Sequence, residues 1–298
     1  MPTLSVDRVD GEYPLERART LFHEYGVVVL KNCVPVASQS ELRSLLERKL
    51  EAARAAGAVL RMDRYPQAEF LLGDILAVRE LEPYDSIFFS PEVVRMAKAL
   101  LATDELLYWG DSSVQYGEAA RGFHKDNVDR SDGTQDDWSR PYELVRCGFY
   151  LQDHARHSGG LKVRLRSHGY PTHLAGKMAD IPTQYGDVVI WNMRLTHSGN
   201  NKRIRFAAPI ALHPRLEAIL PAVLSSPEQN RRIAAFCSFG KPGSHVDRYI
   251  TRMNERDKDY RAYFQRARNY TDASLFAANH GVRLRLPNDF YGELDPRQ

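Results

Sequence analysis

Two residues apart in the stretch Arg121-Gly122-Phe123-His124-Lys125-Asp126-Asn127 stand an imidazole and a carboxylate. In an extended chain alternate side chains share a face, so His124 and Asp126 project together while Lys125 points away. A second imidazole, His197, lies 71 residues beyond Asp126 at the end of a strand-like stretch. Two imidazoles and one carboxylate are a donor set for a divalent metal, provided the fold closes that gap.

On one face, with the remaining positions open, this set is the facial arrangement that suits non-haem iron(II). The open positions would take a chelating cosubstrate and O2. Arg203 and Arg205 follow His197 and alternate, so they share a strand face. A guanidinium buried beside the metal would bind a carboxylate through two charge-assisted hydrogen bonds, which the point charge of lysine cannot reproduce. The pattern thus holds a metal and an anchor for a dicarboxylate. His154 and His157 sit on a polar turn and read as surface or supporting residues, and Asp153 there as a turn-former. Ser167 and His168 are neighbours whose side chains diverge on a strand, which argues against a nucleophile-base pair.

The elements that must position these groups fall into three regions. Residues 1–104 are mostly helical: "PLERARTLFHEYG" ends in glycine, Val27 to Leu30 read as a buried strand, and "ELRSLLERKLEAARAAG" is amphipathic. Ser90-Pro91-Glu92 has the hydroxyl and proline of a helix start. Residues 105–213 carry short β-type runs, "ELLYW", "SSVQY", "LVRCGFYLQ", "LKVRL", "DVVIW" and "FAAPIAL", separated by turn residues. Amphipathic helices do not alternate with them, so an antiparallel jelly roll is expected rather than a parallel sheet. The polar insertion 128–142 follows the His-x-Asp pair and has the length of a lid, with Asn127 and Asp129 at its root as candidate substrate contacts. Residues 214–298 return to helical texture, with an apolar stripe through Val246, Tyr249, Ile250, Met253, Tyr260, Tyr263 and Phe264. The whole is expected to be one domain, mainly β with flanking helices.

Composition sets the outer bounds. The net charge of +3 is spread without a basic block, which excludes a nucleic-acid or lipid surface. The first residues lack a secretory pattern, and no apolar run is long enough to span a membrane, so a cytoplasmic protein is expected. Cys33, Cys147 and Cys237 lie outside any CxxC pattern and read as buried thiols. Lys162, Arg164 and Arg166 form an alternating cationic row: lining the cavity it would select an acidic substrate, facing outward it is a solvated strand face.

The stretches "GFHKD", "YLQDHARHSGGLKVRLRSH" and "GDVVIWNMRLTHSGNN…RFA", in that order between Leu106 and Leu212, resemble the phytanoyl-CoA dioxygenase-like branch of the iron(II)- and 2-oxoglutarate-dependent oxygenases. The resemblance implies a cupin-like double-stranded β-helix core, hydroxylation of a small molecule, and Fe(II), 2-oxoglutarate and O2 as the reacting partners. It implies His124, Asp126 and His197 as ligands, and Arg205, or else Arg203, as the salt-bridge partner of the distant 2-oxoglutarate carboxylate. Tyr150 and Trp191 become core or cavity wall that could touch the cosubstrate. One departure is Arg166, standing where the family has a turn glycine. Halogenating relatives lack the carboxylate ligand, so the presence of Asp126 points to hydroxylation or another oxidation. Two other classes share the ligands: a cupin-like metal-dependent isomerase or hydrolase, and a non-catalytic jelly-roll binding protein. Oligomeric state, monomer or homodimer, is left open by the sequence.

Overall fold

The computed structural model describes residues 2–58, 60–62, 65–72, 75–117, 122–139, 141–199, 201–205, 211–256 and 270–285. Thirteen strands are present among them: β1 Ser5–Val6, β2 Val27–Leu30, β3 Leu60–Met62, β4 Tyr65–Leu72, β5 Leu106–Tyr108, β6 Ser112–Gly117, β7 Leu144–Tyr150, β8 Leu161–Leu165, β9 Lys177–Ile181, β10 Val188–Asn192, β11 His197–Ser198, β12 Ile233–Gly240 and β13 Val282–Leu284. The main helices are α1 Leu15–Tyr25, α2 Val36–Ala55, α3 Asp85–Phe88, α4 Pro91–Leu101, α5 Pro214–Ala218 and α6 Ser244–Arg256, with a further helix at Tyr270–Asn279.

Ten strands form one sheet in the order β1-β2-β10-β7-β12-β6-β4-β3, with β5 and β13 joined beside β12. Its pairings are antiparallel except β1 with β2 and β13 with β5. A smaller sheet, β11-β8-β9, is wholly antiparallel. Strands remote in sequence are therefore neighbours, as in β7 against β10 and β12.

Strand alternation sorts the side chains into two cores. On the outer face of the large sheet, Val28, Val145, Cys147, Phe149, Val188, Ile190, Ile233 and Phe239 pack against Leu21 and Phe22 of α1, Leu42, Leu46 and Leu50 of α2, and Met96, Ala97 and Leu100 of α4. On the inner face, Val27, Val29, Tyr150, Val189, Trp191 and Ala234 meet Leu161, Val163, Leu165, Ala179 and Ile181 of the smaller sheet. Each large apolar side chain buried between the sheets contributes roughly 1.5–3 kcal/mol. Two local devices hold the layers in place. Ser90 caps α4 through the Val93 amide with Pro91 in the first turn. Gly26 closes α1 with φ 83°, in a position where a β-carbon would stand 2.5 Å from Nδ1 of His168.

Two expectations change. Strand structure reaches beyond 105–213: β12 lies centrally in the large sheet although its region reads as helical, and β3 and β4 extend the sheet from the N-terminal region. In the "FAAPIAL" run, residues 206–210 lie outside the described residues, while Arg205 stands in a turn. The apolar stripe of α6 is present at Val246, Tyr249 and Ile250, packed on Leu107, Trp109, Tyr142, Leu144 and Met193. Its continuation at Tyr260, Tyr263 and Phe264 lies outside the described residues. The three cysteines are buried and unlinked. No helix among the described residues is long and apolar enough to cross a membrane.

Candidate metal centre

The backbone of His124 is locked to that of His197 by two hydrogen bonds, 3.0 Å and 2.9 Å, and His197 in turn pairs with Val163 of β8. Two residues on, the Asp126 amide donates to the Met193 carbonyl, 2.9 Å. The Asn192–Leu195 turn is tied by Leu195 N to Asn192 O, 2.7 Å, and Arg194 N to Asn192 Oδ1, 2.9 Å. The sheet thus closes the long sequence gap between Asp126 and His197. One ligand atom each from His124, Asp126 and His197 lies within 4.8 Å of the others, the one such grouping found among the described residues.

Both imidazoles are oriented by main-chain carbonyls. Nδ1 of His124 donates to Gly122 O, 3.1 Å, and Nδ1 of His197 to Leu195 O, 3.0 Å. A carbonyl only accepts, so Nδ1 carries the proton and the lone pair of the neutral ring sits on Nε2. Those Nε2 atoms stand 3.7 Å (His124) and 3.4 Å (His197) from the oxygens of Asp126. Donors roughly 2.1 Å from a metal and at right angles would be roughly 3 Å apart, so a small contraction around a cation completes the site. The site is open on one side: the side chain of His124 is 25% exposed, against 8% for His197. Trp191 covers the His197 ring at 5.5 Å between centroids, and it can lie there because residue 148 is glycine, whose absent β-carbon would be 2.8 Å from the indole.

Arg146 of β7 reaches the same carboxylate, with Nη1 3.1 Å from Oδ2 of Asp126 and Nη2 2.7 Å from Asp111. Lys125 projects to the opposite face, as alternation requires. Its ammonium donates to the Ser167 and Arg194 carbonyls and lies over the Trp138 ring. Burial, and then the charge of Arg194, push it down to about 7.

Arg205 is exposed, its amide bonded to Leu224 O, and the guanidinium of Arg203 donates to His154 O at 3.0 Å. The buried guanidinium on the inner face is Arg232, immediately before β12 and 1% exposed. It continues the inward alternation of Ala234 and Phe236, donating from Nε to Gly159 O, 3.0 Å, and from Nη1 to Gln115 Oε1, 2.8 Å. Its Nη2 is 3.5 Å from where a β-carbon of Gly199 would stand, two residues past His197. On the same inner face, the Tyr150 hydroxyl and Trp191 Nε1 are buried without a hydrogen-bond partner among the described residues. Burial raises the pKa of that phenol, partly opposed by Arg232. A cationic fork next to an unsatisfied hydroxyl is a fitting receptor for a carboxylate. The signal was an arginine heading the β-type run "IAAFCSFG".

The cationic row lies on the face of β8 opposite the inner core, with Lys162 itself fully buried. Leu161, Val163 and Leu165 take the inner face of β8, so Lys162 pairs with Glu217, Arg164 donates to the Leu174 and Gly176 carbonyls and covers Phe123, and Arg166 pairs with Glu24. The row therefore gives no ground for an acidic substrate. Asn127 and Asp129 bind within the insertion: Asn127 Nδ2 and the Asp129 amide both donate to Asp137 Oδ2, 2.9 Å and 3.0 Å, while Asn127 Oδ1 is buried without a hydrogen-bond partner among the described residues. Arg248 of α6 spans Asp129, 2.7 Å, and Asp137, 3.0 Å, while Arg194 holds the Asp137 carbonyl. Asp137 is fully buried, whereas the Arg248 side chain is 27% exposed, which weakens the pair by solvent screening. Arg248→Ala is expected to cost about 1–2 kcal/mol and to open 128–142 to limited proteolysis, with cleavage there before global unfolding. An uncut insertion would show that Arg248 does not hold it.

No protein-family model matches the chain, and no curated protein matches it in sequence. Solved structures match it in fold. The epimerase SnoN in complex with Fe3+, alpha-ketoglutarate and nogalamycin RO aligns at TM-score 0.53 and 13% identity, over 76% of this chain and 83% of that one. SnoK, the non-heme alpha-ketoglutarate-dependent carbocyclase of nogalamycin biosynthesis, aligns at 0.52 and 16%, over 78% and 90%. EctD from S. alaskensis, in its apoform, aligns at 0.51 and 17%, over 80% and 81%. At these identities the likeness is one of fold.

Proposed function

We propose that this chain is an iron(II)- and 2-oxoglutarate-dependent oxygenase whose two facing sheets form a double-stranded β-helix, and that it hydroxylates a small metabolite. The observation that carries the reading is the convergence of two Nε2 lone pairs and one carboxylate at an open site, with a buried guanidinium on the same inner surface. The fold neighbours described as iron or alpha-ketoglutarate enzymes support it. Three buried, unlinked thiols fit a reducing compartment, and we assign the enzyme to the cytoplasm.

His124, Asp126 and His197 would hold iron(II). When bound, iron with 2-oxoglutarate and O2 supplies the oxidising equivalent that places one oxygen atom in a C–H bond, with succinate and carbon dioxide as co-products. The protein supplies placement and exclusion of water. Arg232 would take the distant carboxylate of 2-oxoglutarate in place of Arg205 or Arg203, and the Tyr150 hydroxyl, which has no hydrogen-bond partner among the described residues, would gain one through it. Trp191, Ala234 and Phe236 keep this inner face apolar, and burial of Arg232 would strengthen that ion pair. Asp126 would occupy the position that a halide needs, which favours hydroxylation or another oxidation, such as desaturation, ring closure or epimerisation, over halogenation.

The test is an anaerobic optical titration of the metal-free protein with iron(II) and then 2-oxoglutarate. A weak visible charge-transfer band is expected on the second addition. Iron binding without the band would leave the metal site standing and replace the oxygenase with a metal-dependent isomerase or hydrolase.

A further inference from the structure

Arg146 is bound by four elements at once. Nε donates to Ser238 Oγ of β12, 3.0 Å; Nη1 to Asp126 Oδ2, 3.1 Å; and Nη2 to Asp111 Oδ2, 2.7 Å, and to the Tyr249 hydroxyl of α6, 3.1 Å. A guanidinium is planar and rigid, so four fixed partners determine its orientation and, through it, that of the Asp126 carboxylate. The oxygen it grips is Oδ2. Oδ2 also stands 3.4 Å from Nε2 of His197, and Oδ1 stands 3.7 Å from Nε2 of His124.

The number of oxygens Asp126 offers matters chemically. On a six-coordinate cation a one-oxygen carboxylate and two imidazoles leave three positions, enough for a chelating cosubstrate and O2, whereas a two-oxygen carboxylate would leave only two. Charge matters equally. Arg146 alone would cancel Asp126 and make the centre a poor host for a dication; Asp111, on the far side of the guanidinium, restores one net negative charge. Resting on the metal-site reading above, we propose that Arg146 is a positioning residue that holds Asp126 as a one-oxygen ligand, with Asp111 as its charge balance and Tyr249 making α6 a structural part of the centre. The adjacent residue of α6, Arg248, is the one that clamps the 128–142 insertion. The helix therefore joins the insertion to the metal carboxylate through two consecutive side chains.

The test uses the full chain with Mn(II) as the probe, counting exchangeable metal-bound waters by pulsed EPR in H2O and D2O and measuring Mn(II) affinity, with no turnover involved. The wild-type protein is expected to show three such waters. Arg146→Gln is expected to show two, as Oδ2 swings onto the metal, and Arg146→Lys to regain three. Asp111→Asn, which keeps the shape at that position, is expected to retain three waters and bind Mn(II) roughly tenfold more weakly. Should Arg146→Gln fail to fold, Asp111→Asn decides alone. Three waters in Arg146→Gln, or an Asp111→Asn affinity within twofold of wild type, overturns the positioning role while leaving the metal site intact. A wild-type protein that binds no Mn(II) overturns the metal-site reading itself.

Discussion

Asp126→Ala is expected to abolish 2-oxoglutarate turnover and to weaken metal binding by more than roughly 100-fold, since even residues that only support a ligand are worth 10–100-fold. The fold should survive. Asp126 supplies a backbone amide to Met193 that alanine supplies equally, and Arg146 keeps Asp111, Ser238 and Tyr249, so no buried charge is stranded. The melting temperature should stay within roughly 4 °C of wild type. Calorimetric metal titration beside a thermal melt checks both halves. Unchanged metal affinity in a folded variant would remove Asp126 from the ligand set and with it the assignment of the centre.

Arg232→Gln is expected to weaken 2-oxoglutarate binding by about 3 kcal/mol, roughly 100-fold, while Arg205→Ala changes it less than about twofold. The contrast follows from burial. Arg232 is 1% exposed, so an ion pair with a carboxylate there is little screened, whereas Arg205 is exposed. Glutamine is the milder replacement because its amide can still donate to the Gly159 carbonyl or meet Gln115, limiting the stability cost to about 1–3 kcal/mol. The readout is the 2-oxoglutarate concentration that half-saturates the visible band of the anaerobic iron protein. If Arg205→Ala shifts that midpoint and Arg232→Gln does not, the anchor belongs to the turn after His197 and the inner-face assignment fails.

The pairing of His124 with Asp126 was legible because strand alternation is a local rule, indifferent to what packs outside. The same rule placed Lys125 on the other side, gave the alternation of β8, and marked β5, β6, β7 and β10 as short buried runs. It could not say which face of β8 is inside. That was decided by Leu161, Val163 and Leu165 meeting Trp191 and Tyr150 across the sandwich, which put Lys162, Arg164 and Arg166 on the side away from the inner core. Similarly, Asn127 and Asp129 have the chemistry of substrate contacts, and only the folded insertion shows that Asn127 Nδ2 is taken by Asp137 and the Asp129 carboxylate by Arg248.

Residue type and local period therefore pointed to the donor set that the fold gathers and to the antiparallel character of the core. Tertiary structure alone decided which arginine serves the inner face. β12 is buried on both sides, with Ile233, Ala235, Cys237 and Phe239 toward the helices and Ala234 and Phe236 toward the inner core, so it lacks the polar alternation that announces a half-exposed strand. Its place between β6 and β7 is a long-range pairing, set by which surfaces can be buried together. That pairing carries Arg232 to the inner wall and Ser238 to Arg146, contacts that no spacing in the chain encodes.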